Sequence, residues 1–145
     1  MARTWIVAYD FAPQARAALA RAAKLLSQLG GGTLVAVHVE GYRLDAAGAD
    51  LVVGGGAEVL LQQEEMARSE LARDLAAVRE PGVELIGEVG LGRPAELVAE
   101  IAGARDAELV VVGSHGRRGL ERMLLGSVAE TIVRLAPCDV MVVKP

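Results

Sequence analysis

The sequence predicts an α/β domain built on an open parallel sheet of five strands, order 3-2-1-4-5, with helices on both faces. Three observations predict it. Strand and helix patterns alternate from one end of the 145 residues to the other. Most of the strands read as continuous apolar runs rather than in-and-out alternations, as strands do when both sheet faces are covered. No internal repeat or low-complexity tract competes with that pattern, so residues 1–145 form one domain.

Each element follows from its own residues. Thr4–Tyr9 is a strand ended by Asp10, and Pro13 stands where a first helical turn begins. From Ala15 the residues Ala18, Leu19, Ala22, Leu26 and Leu29 fall at offsets 3, 4, 7, 11 and 14, a single stripe that Gly30 closes with a left-handed cap. Thr33–Val39 is a buried second strand. Glu40–Gly56 carries no period and ends in three glycines, which predicts a mobile loop. Ala57–Arg79 is an amphipathic helix stopped by Pro81 and Gly82. Val83–Val89 is the third strand, Pro94 to about Gly103 a helix, Glu108–Val112 the fourth strand, Ser127–Leu135 a short helix and Val140–Val143 the last strand.

Composition bounds the function. With 52% hydrophobic and only 3% aromatic residues, a core of Ala, Val and Leu is feasible and disorder is not expected. A net charge of -4 provides no basic footprint for nucleic acid or an anionic membrane. One cysteine, Cys138, permits no intrachain disulfide and fits a reducing compartment. The apolar stretch Trp5–Tyr9 is too short for a signal or a membrane span, so the expected location is the cytoplasm.

The chemistry gathers at Gly113-Ser114-His115-Gly116, followed after nine residues by Gly126-Ser127. Glycines leaving a buried strand allow positive φ values that aim successive amides at one point, an anion nest. Gly126-Ser127 precedes a helix whose free amides add a second phosphate-facing surface. His115, Arg117, Arg118 and Arg122 supply local positive charge. A plain turn, with Ser127 as an N-cap, fits the same residues. In order 3-2-1-4-5 the strand order reverses between the first and fourth strands, the place where open sheets bind ligands, and those strands end at Asp10 and Gly113. Asp10 could meet a phosphate-bound metal, a base or a ribose, or cap the helix at Pro13.

These residues resemble a universal stress protein of the single-domain, ATP-binding kind, over essentially the whole chain. Ile6-Val7-Ala8-Tyr9-Asp10, Leu34–Val39 and Gly113–Val143 carry the resemblance. The family pattern G-x2-G-x9-G-[ST] is met by Gly113, Gly116, Gly126 and Ser127. The resemblance implies a Rossmann-like fold of the adenine nucleotide alpha hydrolase-like type. It also implies that Asp10 and the Val39 backbone meet adenosine, while Gly113, Ser114, Gly116, Gly126, Ser127 and Val128 hold ribose and phosphates. Arg117, in the spacer, joins this nucleotide-binding set. Phe11-Ala12 replaces the family's frequent Gly-Ser, removing a hydroxyl cap and setting an aromatic at the pocket edge, and Asp139 stands where proline often follows the cysteine.

Other patterns are set aside. Gly90-Leu91-Gly92-Arg93-Pro94-Ala95 matches a dinucleotide fingerprint but sits on the wrong strand-to-helix turn, with no carboxylate closing the next strand. There is no P-loop and no G-x-S-x-G elbow, and His38, His115 and Cys138 lack zinc spacing. The expected function is a nucleotide-dependent stress-response switch that binds ATP, with AMP and ADP as the related candidates, and Mg2+ on the phosphates. Hydrolysis is expected to be slow, and no side chain is named as catalytic. By resemblance, Val140, Met141, Val142 and Val143 pair with a second copy in a homodimer; a protein partner is a further possibility, and nucleic acid and membrane are not expected. The alternative is a nucleotide-free homodimeric protein-interaction module.

Overall fold

The computed structural model describes residues 2–44, 50–52, 56–115 and 125–145. In chain order the elements are β1 (Arg3–Ala8), α1 (Pro13–Gln28), β2 (Gly32–Leu44), β3 (Asp50–Val52), α2 (Gly56–Ala76), β4 (Val83–Gly92), α3 (Pro94–Ala104), β5 (Leu109–Gly113), α4 (Ser127–Leu135) and β6 (Asp139–Val143). Five strands pair in parallel in the order β4-β2-β1-β5-β6, the order the sequence predicts. The sixth, β3, pairs antiparallel with the far end of β2.

That sixth strand corrects the expectation of an unstructured loop over Glu40–Gly56. The second strand does not stop at Val39: β2 and β4 stay in step from Gly32↔Val83 to Gly41↔Gly92, and Tyr42, Arg43 and Leu44 then pair with Val52, Leu51 and Asp50. Glycines at 41, 54, 55, 56, 90 and 92 hide this extension from a composition-based reading, because glycine signals a turn more often than a strand. Residues 45–49 and 53–55 lie outside the described residues.

Strand side chains alternate between two cores. Trp5, Val7, Leu34, Ala36 and Val111 face α1 and α2, where Ala18, Leu19, Ala22, Leu26 and Leu71 meet them. Ile6, Val35, Val37, Val110 and Val112 face α3 and α4 through Val98, Ala102, Ala129 and Ile132. Each fully buried Val, Leu or Ile side chain among them contributes about 1.5–3 kcal/mol. Together they explain how a chain with so few aromatics holds a sheet covered on both sides.

α1 ends as its sequence requires. Gly30, at φ 100°, follows Leu29, and the Gly30 and Gly31 amides return to the Ser27 and Leu26 carbonyls at 3.1 and 2.8 Å. At the amino-terminal edge of the sheet, Trp5 Nε1 donates to Glu108 Oε1 at 2.8 Å. No helix among the described residues is long and apolar enough to cross a membrane.

Candidate functional site

The strand order reverses between β1 and β5. The crossover from β1 runs to α1 on one face of the sheet, and that from β5 leads to α4 on the other. Two adjacent strands whose chains depart in opposite directions leave a crevice at their carboxyl ends. Val7 aligns with Val111, so the same register continued past both strands sets Asp10 beside Ser114.

One wall is the turn from Tyr9 to Ala12. Asp10 Oδ1 accepts the Ala12 amide at 3.0 Å, a two-residue carboxylate turn. Ala12 is the N-cap residue of α1 and provides no side-chain cap. Asp10 thus shapes the turn ahead of the helix rather than capping the helix itself. Phe11 takes φ 62°, the left-handed region that side-chain-bearing residues avoid. Packing holds it there: the ring stands edge-on to Tyr9 at 5.1 Å and tilted over His38 at 4.6 Å, and only 8% of the residue is exposed. The sequence placed this aromatic at the pocket edge, and the fold buries it as the support beneath the turn.

His38 closes the same wall. Its Nδ1 lies 2.9 Å from the Tyr9 carbonyl oxygen, which only accepts, so this nitrogen donates. Nε2 lies 2.8 Å from Glu40 Oε1. The Tyr9 amide bonds the Val37 carbonyl at 2.9 Å, so by strand alternation the Val39 backbone groups also point toward β1, beyond the point where β1 ends. In a continued ladder the Tyr9 carbonyl would take the Val39 amide; here it takes the His38 ring. Tyr9 also ties the turn to α2, its hydroxyl donating to Asp74 Oδ2, which Arg16 Nε reaches at 3.2 Å. Burial, reinforced by the hydrogen bond and charge of Asp74, pushes the Tyr9 phenol far above its ordinary range, so it stays protonated.

The opposite wall is the start of the glycine motif. Gly113 lies close against α1: an added Cβ would stand 3.3 Å from Gln14 Cβ and 3.4 Å from the Gln14 carbonyl oxygen. Ser114 is buried and engages three elements. Its amide donates to the Val143 carbonyl at 3.0 Å, its carbonyl accepts the Gly126 amide at 2.6 Å, and its hydroxyl lies 3.2 Å from Gln14 Oε1 and 3.0 Å from His115 Nδ1. The His115 amide donates to the same Gln14 oxygen at 2.8 Å.

This differs from the converging amides expected of the first half of the motif. The Ser114 and His115 amides are held by protein acceptors, and Gly126 sits at φ -67° and ψ 162°, a conformation open to any residue. Among the described groups, the first amides of α4 suit an anion instead. Glu130 is the first to reach an intrahelical carbonyl, that of Gly126 at 2.9 Å, so the amides of Ser127, Val128 and Ala129 have no partner within the helix.

The fold therefore brings Asp10, Val39, Gly113, Ser114, Gly126, Ser127 and Val128 to the carboxyl side of the sheet around the switch point, while Gly116 and Arg117 lie outside the described residues. Gln14 was not among the residues the sequence singled out. Among the described residues no three His, Cys, Asp or Glu side chains gather into a metal set. Cys138 lies away from the crevice, at the start of β6, where burial and then the Asp139 charge push its thiol up against a Val110 backbone hydrogen bond that lowers it.

The profile of the Universal stress protein family matches residues 1–144. The Universal stress protein MJ0531 of Methanocaldococcus jannaschii is 41% identical over 85 residues, 59% of this chain and 49% of that one, so the match spans about half the length of that relative. A universal stress protein of Thermus aquaticus is 31% identical over 144 residues, covering 99% of this chain and 100% of its own. Among solved structures, universal stress protein UspA from Lactobacillus plantarum superposes with a TM-score of 0.76 at 23% identity, over 99% of both chains. A universal stress protein from Archaeoglobus fulgidus, solved in complex with dAMP, superposes with a TM-score of 0.65 at 18% identity, over 98% of this chain and 97% of that one. With the family profile matched almost end to end and a full-length relative above 30% identity, the chain belongs to the universal stress protein family.

Proposed function

We propose that this chain binds an adenine nucleotide, ATP in the first place, across the carboxyl ends of β1 and β5 and acts as a nucleotide-dependent stress-response switch in the cytoplasm. The observation that carries the reading is that Gly113-x2-Gly116-x9-Gly126-Ser127 falls at the strand-order reversal, with its two ends joined by the Gly126 amide on the Ser114 carbonyl at 2.6 Å. That bond brings the amino end of α4 to the crevice, where three helix amides and the helix dipole favour phosphate. The Val39 backbone, turned toward the end of β1, provides a donor and an acceptor for the edge of a base. The dAMP complex of the Archaeoglobus fulgidus relative supports the ligand class.

Mg2+ carried in with the phosphates would neutralise part of their charge, and Asp10 is the described carboxylate at the crevice mouth. Asp10 Oδ1 is on the Ala12 amide and His115 Nδ1 on the Ser114 hydroxyl. Both groups serve local structure, which favours binding with slow hydrolysis over rapid turnover. Protein denatured directly after purification is expected to release near-stoichiometric adenine nucleotide, or the emptied protein to show saturable Mg-ATP heat in a titration. Neither nucleotide nor heat from folded protein would reject the reading in favour of a nucleotide-free interaction module.

The same reading includes a homodimer. Among the described strands β6 pairs only with β5, leaving Val140, Met141, Val142 and Val143 on an outer edge. Val133 and Leu135 of the preceding helix add exposed apolar surface. Light scattering at micromolar concentration is expected to return twice the chain mass; the mass of one chain would refute the pairing.

A further inference from the structure

We infer that Gln14 is the positioning residue of the phosphate side of the crevice, an inference that rests on the nucleotide-binding reading above. Gln14 lies in the first turn of α1, a hundred residues from the motif it touches. Its single amide oxygen receives both the Ser114 hydroxyl, at 3.2 Å, and the His115 amide, at 2.8 Å. Because the His115 amide can only donate, this contact fixes the oxygen as the inward-facing atom of the Gln14 amide.

The clasp joins the two crossovers that part company at the switch point. β5 leads away from α1, toward the opposite face of the sheet, and Gln14 holds its exit against the first turn of α1. The backbone at Gly113 is close enough that even a methyl group there would press on Gln14 Cβ at 3.3 Å. From Ser114 the placement passes on, because the Ser114 carbonyl holds the Gly126 amide, and Gly126 is the N-cap residue of α4. The oxygen of Gln14 thereby sets where the first amides of α4 stand relative to the wall built by Asp10 and Phe11. Ser114 keeps His115 Nδ1 as a neighbour when Gln14 is replaced, whereas the His115 amide loses the acceptor seen here. A loop end held by a shared acceptor shifts when that acceptor goes, and a phosphate site depends on amide positions to a fraction of an ångström.

The test compares ATP with adenosine, which has the base and ribose but no phosphate. Gln14→Met keeps the length of the side chain and removes the acceptor. It is expected to weaken ATP binding about tenfold, the equivalent of one charge-assisted hydrogen bond, to leave adenosine binding within about twofold when followed by NMR to millimolar concentration, and to speed hydrogen exchange at the His115 amide. Gln14→Glu retains an acceptor oxygen at the same reach and is expected to keep both the adenosine affinity and the protected His115 amide. Equal weakening of ATP and adenosine by Gln14→Met would overturn the inference, since it would mark a general packing role. Unchanged ATP affinity in that variant would overturn it as well. Failure of the wild-type protein to bind ATP, seen before any variant is made, would instead remove the nucleotide-binding reading and this inference with it.

Discussion

Gly126→Val is expected to yield a folded protein whose ATP affinity falls by about 100-fold, roughly 2.7 kcal/mol. The conformation of Gly126, φ -67° and ψ 162°, is open to valine, and its amide can still reach the Ser114 carbonyl. On the backbone side the cost to folding is a poorer N-cap, about 0.5–1 kcal/mol. The cost to binding is larger, because two methyl groups would stand at the mouth of α4, the helix that Gly126 opens. Titration calorimetry on material whose melting curve matches the parent separates the two effects. Unchanged affinity would mean that phosphate is not received at the amino end of α4.

The second large effect is on stability. Phe11→Ala is expected to cost about 3–5 kcal/mol, since it empties the space between Tyr9 and His38. Phe11→Gly is expected to cost about 1 kcal/mol less than Phe11→Ala, reversing the usual order of these two residues. At φ 62° alanine retains the strain of its Cβ against the backbone, and glycine has none. Urea denaturation of both variants reads the order directly. An alanine variant more stable than the glycine variant would show that the turn does not hold the left-handed conformation in solution.

Much of this architecture is visible in the residues themselves. The stripe from Ala15 to Leu29, the Pro13 start and the Gly30 stop define α1 with local information alone, and the apolar runs at residues 34–37 and 109–112 read as strands covered on both faces, as they are. The extension of β2 to Leu44 was hidden because it rests on two partners, glycine-bearing β4 as far as Gly41 and then β3 from Tyr42 to Leu44, a property of the pairing rather than of any one segment. The motif glycines could be found by spacing, but not their settings: Gly113 lies close against Gln14, and Gly126 opens a helix without any unusual angle. Gln14 itself bears no mark in the sequence. A glutamine in the first turn of an amphipathic helix reads as solvated surface until the sheet carries Ser114 to it.

The placement of Trp5 has a practical outcome for anyone following this protein by light. It is the sole tryptophan, sealed in the core at the edge of the sheet opposite the crevice, with its indole nitrogen on Glu108. Its emission is expected to report whether β1 and β5 remain assembled, at the end of the sheet away from the crevice. The chain thus carries an intrinsic fluorophore for unfolding, while following occupancy of the crevice calls for a label on the ligand under test.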